Sequence, residues 1–158
     1  MSSIPKRGHR RAKGRERDEI NLGALTDLAG YAIKRAQEHV FETFMAATPD
    51  TNITPARLAA LTMISANENL TPTDLAETLR IARSGATAML KALHDIGYVT
   101  QSVVDTDRRA VRLSLTPAGR LALDAVTKAV QKQDEELTAS LTTEERETLL
   151  SLLDRICS

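Results

Sequence analysis

Apolar residues recur along this chain at two different spacings. From about Ile20 to Met45, residues such as Leu25, Ala29, Ala32, Ile33, Ala36, Val40 and Phe44 fall three or four apart. That is the spacing of one long amphipathic helix, and Pro49-Asp50 ends it. Thr54-Pro55 predicts a second helix, an N-cap followed by proline at the first helical position, running to about Ala66. Thr71-Pro72-Thr73-Asp74 opens a third, with Asp74 where a capping-box acid belongs and Leu75, Ala76 and Leu79 as its apolar positions. After a short turn near residues 80–82, a fourth helix runs from Arg83 to about Ile96, and Gly97 is well placed to end it in the left-handed conformation.

The period then changes from that of a helix to that of a strand. Val99 to Val104 mixes β-branched and polar residues, and Ala110 to Leu115 places Val111, Leu113 and Leu115 on one face with Arg112 and Ser114 on the other. Between them Asp105-Thr106-Asp107-Arg108-Arg109 makes a charged tip. Thr116-Pro117 opens a fifth helix, and Thr142 with Glu145 forms a capping box for a last one carrying Leu149, Leu150, Leu153 and Ile156. The predicted fold is therefore mainly α with a small β-hairpin wing. A helix-turn-helix over about 73–96 is followed directly by a charged hairpin, the plan of a winged helix. Residues 49–116 form the expected winged helix-turn-helix domain. Residues 18–48 and 117–158 are too long and too apolar on one face to pack on it alone, which predicts a helical dimerisation region and a homodimer. Residues 1–17 are expected to be a disordered basic arm.

Composition narrows the function by exclusion. A chain of 158 residues at 42% hydrophobic makes one ordinary domain, or a domain with long helical additions. The single cysteine, Cys157, excludes a disulfide framework and a Cys-based zinc site within one chain. Aromatic residues make up 3% with no Trp, too few for a platform that stacks single-stranded bases. No apolar run reaches the roughly 18 residues of a membrane span, and the basic start lacks the apolar stretch of a secretory signal. A cytoplasmic protein without a membrane partner or cofactor is expected. His9, His39 and His94 are scattered, and no phosphate loop or nucleophile elbow is present, so no enzyme is expected.

The zero net charge conceals sorted blocks. Residues 1–17 hold seven Lys/Arg against one acid and residues 80–120 seven against three, while the segments after each are net acidic. Two basic segments on an acidic body suggest a side that faces a polyanion. Within the second block, Arg83, Ser84, Thr87 and Ala88 share an exposed side of the fourth helix, while Ala86, Leu90 and Leu93 turn inward. Arg is the usual guanine reader, a Thr or Ala methyl can touch thymine, and Ser serves either role. Gly85 on the same turns and Thr73 on the preceding helix complete the surface expected to meet double-stranded DNA. Lys91, a turn further on, suits a phosphate, and Arg108 or Arg109 at the wing tip suits a narrow minor groove. One of those two arginines could equally pair with Asp105 or Asp107 and shape the wing.

With those residues in place, the sequence resembles the MarR family (multiple antibiotic resistance regulators). The resemblance lies in Leu75-Ala76-Glu77 with Leu79, Gly97-Tyr98-Val99, Asp107-Arg108-Arg109-Ala110-Val111 and Leu113-Ser114-Leu115-Thr116-Pro117-Ala118-Gly119. It implies a homodimeric winged-helix regulator, usually a repressor, that binds a pseudo-palindromic operator and is commonly released by a small molecule. Two positions depart from the pattern: Ala82 stands where a Ser cap is usual, and Ala88 where Arg or Lys is common. The stretch Gly30-Tyr31-Ala32-Ile33-Lys34-Arg35-Ala36-Gln37, with Val40-Phe41 and Phe44, is similar to the first helix of members that sense hydroxycinnamates or their coenzyme A thioesters. Tyr31, Arg35 and His39 are four residues apart and share one helical face. A guanidinium there can pair with a carboxylate or phosphate, with a phenol and an imidazole nearby. The expected effector is a small aromatic acid or its aryl-CoA thioester. Two other classes remain open at this point: a winged-helix DNA-binding protein without effector, and a winged-helix protein-interaction module.

Overall fold

The computed structural model describes residues 21–104 and 107–158, and for residues 103, 104 and 107–110 it describes the backbone alone. The expected arm 1–17 and the tip residues Asp105 and Thr106 lie outside the described residues. The chain divides into two compact units, residues 1–35 and 36–158.

In the first unit, the expected single helix from Ile20 is interrupted. Gly23 takes a left-handed φ of +56°, and Gly23–Asp27 closes as a 3-10 turn in which the Asn21 carboxamide accepts from the Gly23 N–H at 2.8 Å. Leu28 is extended, so α1 (Ala29–Ala47) begins only after it. A glycine near the start of an otherwise good helical pattern explains the difference: it lowers helix propensity where few tertiary contacts oppose the break. No residue of the 3-10 turn is buried.

The second unit holds the core. It continues α1 and adds α2 (Pro55–Ala66), α3 (Pro72–Thr78), α4 (Arg83–Asp95), β1 (Val99–Val104), β2 (Asp107–Leu115), α5 (Pro117–Leu137) and α6 (Thr143–Cys157). The helix starts follow the predicted caps. Thr54, Thr71, Thr116 and Thr142 each accept from the backbone N–H three residues on. Thr71 with Asp74 and Thr142 with Glu145 close full capping boxes. The Thr71 backbone N–H, donating at 2.9 Å, holds the Asp74 carboxyl below the ordinary carboxylate range, with the Thr71 hydroxyl adding to it. Ile53, Leu61, Leu75, Leu90, Leu93, Val99 and Leu113 are essentially fully buried, so every element from α2 to β2 contributes to one core.

The wing is an antiparallel pair in which Val99 faces Leu115 and Gln101 faces Leu113, with an irregularity between Val103 and Val104. β2 starts at Asp107, three residues before the predicted Ala110, because pairing resumes beyond that irregularity. The Leu113 N–H also donates to the Leu70 carbonyl at 3.1 Å, which ties the wing to the loop before α3.

A dense junction joins α4, the wing and α5. Gly97, at φ +80°, ends α4 in a Schellman arrangement: its N–H donates to His94 and the Tyr98 N–H to Leu93. The Thr116 hydroxyl donates to the Gly97 carbonyl at 2.6 Å and accepts from the Gly119 N–H at 2.9 Å, while the Thr116 N–H donates to the Tyr98 carbonyl at 3.0 Å. Gly119 lies so close to Tyr98 that a Cβ there would collide with the Tyr98 carbonyl oxygen and sit 2.9 Å from its carbon. Backbone atoms on both sides cannot give way. Gly119→Ala is expected to destabilise the protein by about 1–3 kcal/mol, the range for an overpacked site. Denaturant unfolding checks this, and wild-type stability would show the junction to be looser than described.

Candidate nucleic-acid interface

The helix-turn-helix is built from α3 and α4, and its turn is made by backbone bonds. The Arg80 N–H donates to Glu77 at 3.1 Å and the Ile81 N–H to Ala76 at 3.0 Å, with Arg80 itself at φ +52°. Leu75 and Ala76 of α3 and Ala86, Leu90 and Leu93 of α4 bury the inner faces. The spacing of those three α4 residues leaves Arg83, Ser84, Gly85, Thr87, Ala88 and Lys91 exposed on the outside, as their sequence pattern predicts. Thr73 is exposed on α3.

The chemistry of that outer face is that of a surface prepared for an anion. Unlike α2, α3, α5 and α6, α4 starts without a side-chain cap, because its N-cap is Ala82. It has no acid in its first turn, and its first residue is the cationic Arg83, so no side-chain charge offsets the positive end of the helix dipole. The Thr87 hydroxyl donates to the Arg83 carbonyl at 2.9 Å, which occupies its proton. Lys91 is paired: its Nζ donates to Asp95 Oδ2 at 2.6 Å across one helical turn. That hydrogen bond, more than the nearby charges, lowers the Asp95 carboxyl from its ordinary range. Gly85 has open space where a side chain would be, with nothing within 4 Å of a Cβ built on it. No contact among the described residues therefore requires glycine here.

Arg108 and Arg109 lie on β2, but their side chains are outside the described residues. Arg112, placed on the outer face by its alternation, is instead half-buried, and its Nε is shielded without a hydrogen-bond partner among the described residues. The strand period alone could not show this, because it sorts residues between two faces without saying what packs on either.

The three residues proposed from the first helix fall in different units. Tyr31 is half-buried and Arg35 exposed in the first, whereas His39 belongs to the second. There His39 lines an open cavity of about 530 Å³ between α1 and α5, together with Thr43, Ala47, Lys132, Gln133 and Leu137. Gln133 is only 8% exposed and donates through Nε2 to the Thr43 hydroxyl at 2.7 Å. This buried amide had no signal in the sequence beyond its place on the apolar face of α5. Among the described residues no cluster of three His, Cys, Asp or Glu could hold a metal ion, and no helix is long and apolar enough to cross a membrane.

The sequence profile of the MarR family matches residues 51–110, which take in the helix-turn-helix and most of the wing. The chain is 31% identical, over 139 residues, to a protein of Thauera aromatica described as a putative transcriptional regulatory protein for the hcr operon; the match covers 87% of this chain and 84% of that relative. The chain belongs to the MarR family. Among solved structures, this MarR-family chain resembles the transcriptional repressor CouR bound to a 23-mer DNA duplex, at 37% identity and a TM-score of 0.84, over 89% of this chain and 100% of that one. CouR bound to p-coumaroyl-CoA matches at 36% identity and a TM-score of 0.81, over 88% and 98% of the two chains. Apo wild-type MarR from E. coli matches at 26% and 0.68, over 83% and 98%. The protein is thus a DNA-binding transcriptional regulator with the winged-helix fold. Its relatives are regulators rather than enzymes.

For this regulator, Gly85→Ala is expected to stabilise the free protein by a few tenths to about 1 kcal/mol, since glycine weakens a helix and the added methyl meets nothing. The melting temperature should rise by about 1–4 °C. A fall would place an undetected contact on this face.

Proposed function

We propose that this MarR-family regulator is a repressor that binds a pseudo-palindromic operator as a homodimer and is released by a small aromatic acid or its CoA thioester. The observation that carries the reading is the likeness to a repressor solved both on a DNA duplex and with p-coumaroyl-CoA, over nearly the whole of each chain. The exposed polar and cationic face of α4 supplies the matching chemistry here. In this reading residues 49–116 bind DNA, residues 18–48 and 117–158 form the dimer, and residues 1–17 add sequence-independent phosphate contacts. Arg83, Ser84, Gly85, Thr87 and Ala88 enter the major groove, with Thr73 beside them. Lys91 meets a phosphate, and Arg108 or Arg109 the adjacent minor groove.

Exposed apolar side chains support the dimer. None of α6 is buried, and Leu149, Leu150, Leu152 and Ile156 remain exposed, Ile156 at 63%. On α1, Val40, Phe41 and Met45 are exposed as well. Faces of this kind in a DNA-binding protein are suited to a second copy of the chain. The effector reading rests on the four-residue spacing of Tyr31, Arg35 and His39 in the sequence. Arg35 holds the acid or a phosphate, and release follows if the ligand prefers a dimer whose recognition helices no longer match the half-site spacing.

Fluorescence anisotropy tests the reading on DNA from upstream of the protein's own gene, at several salt concentrations, with and without hydroxycinnamates and their CoA esters. Tight binding with two chains per site, relieved by one of these compounds, is expected; binding that none of them relieves would remove the effector. Arg83→Ala should cost about 1–3 kcal/mol and relax one operator position. An equal loss on operator and random DNA would refute base reading. Arg35→Ala should leave DNA affinity intact and abolish the response, and an unchanged inducing concentration would remove Arg35 from the site.

A further inference from the structure

One residue of the helix-turn-helix reaches far outside it. Both terminal nitrogens of Arg80 donate to the Cys157 carbonyl, at 3.2 Å each, across 77 residues of sequence. Cys157 is the last residue of α6, so its carbonyl has no donor within the helix and lies at the negative end of the helix dipole. A guanidinium fork matches such an oxygen in charge and in geometry. The backbone of Arg80 makes the contact more informative. At φ +52° it occupies a conformation that glycine or asparagine adopts with less strain, in a turn whose backbone hydrogen bonds need no side chain.

The other end of this connection is weakly held. α6 buries none of its side chains. Near its start, Arg146 Nη2 bonds Asp134 Oδ2 of α5 at 2.8 Å, and at its end it meets Arg80. A helix attached at its two ends by arginines acts as a strut between the end of α5 and the turn that sets the direction of α4. Arg83, the first residue of α4, follows Arg80 by three positions.

We infer that Arg80 is a positioning residue for operator recognition, acting by tying the helix-turn-helix turn to the end of α6 and not by touching DNA. The tie refers the orientation of α4 to α6. This requires only that the protein binds DNA through α4, and it stands whether or not an effector exists.

The test uses the full chain with Arg80→Ala and Arg80→Gly, the second of which removes the guanidinium while easing the backbone. Operator and random-DNA affinities are titrated against salt, with melting temperature and oligomeric state measured alongside. Both variants should lose roughly 2- to 30-fold in operator affinity, the range for residues that modulate binding without contact. Random-DNA affinity and the salt slope should stay as in the wild type. A slope reduced by about 0.9, with parallel loss on random DNA, would make Arg80 a phosphate contact and overturn the inference. So would wild-type operator affinity in a folded Arg80→Gly protein. Arg146→Ala opens the other attachment of α6 instead. Its operator loss and that of Arg80→Ala should not add when combined, and additive losses would show that the two do not act through one helix.

Discussion

The winged helix depends on one close approach of backbone to backbone, where Gly119 meets the Tyr98 carbonyl. Three segments converge there: the end of α4, the residue that leads into β1 and the first turn of α5. Thr116 serves all three, donating its hydroxyl to Gly97, accepting from Gly119 as the cap of α5, and closing the sheet end through Tyr98. Because Thr116 and Tyr98 are half-buried and Gly119 is buried, an unmade bond among these three would leave a shielded polar atom poorly compensated. The Leu-x-Leu-Thr-Pro-Ala-Gly run is therefore a packing requirement. Its leucines fill the core, its threonine makes the turn, and its glycine permits contact at a distance no side chain allows.

This rigid junction contrasts with the surface it supports. α4 is anchored by Ala86, Leu90 and Leu93 on one side and left open on the other, with an uncapped start, a glycine that packs on nothing and a cation at the first position. Each of those features costs the free protein some stability, and each suits an approaching polyanion. Local rules of helix design are satisfied in α2, α3, α5 and α6 and relaxed in α4. Such a departure is expected where the sequence answers to a partner rather than to its own fold.

Most of the fold was legible because its punctuation is local. Four Thr caps, three of them before proline, and a left-handed glycine mark boundaries that need no tertiary information. The outer face of α4 was legible for the same reason, since helical period sorts its residues into buried and exposed. What escaped depends on distance or on space. The break at Gly23–Leu28 reflects a lack of packing that periodicity does not register. Arg112, half-buried, depends on how the wing sits on its neighbours. Gln133 and Thr43 form a hydrogen bond across 90 residues, and Arg80 finds a carbonyl across 77, neither of which any window of sequence could pair.

Lys91 and Asp95 add a consequence for the energetics of the proposed complex. An exposed ion pair contributes little to folding, so opening it costs little. The carboxylate left behind does not leave the surface, however, and remains one helical turn along from Lys91. The lysine thus exchanges one anion for another while its former partner repels the newcomer. In the proposed complex its net attraction to DNA would be smaller than a lone lysine's, whatever the sequence. A regulator that must leave a great many wrong sites to find one benefits from cations that are already half-satisfied at home.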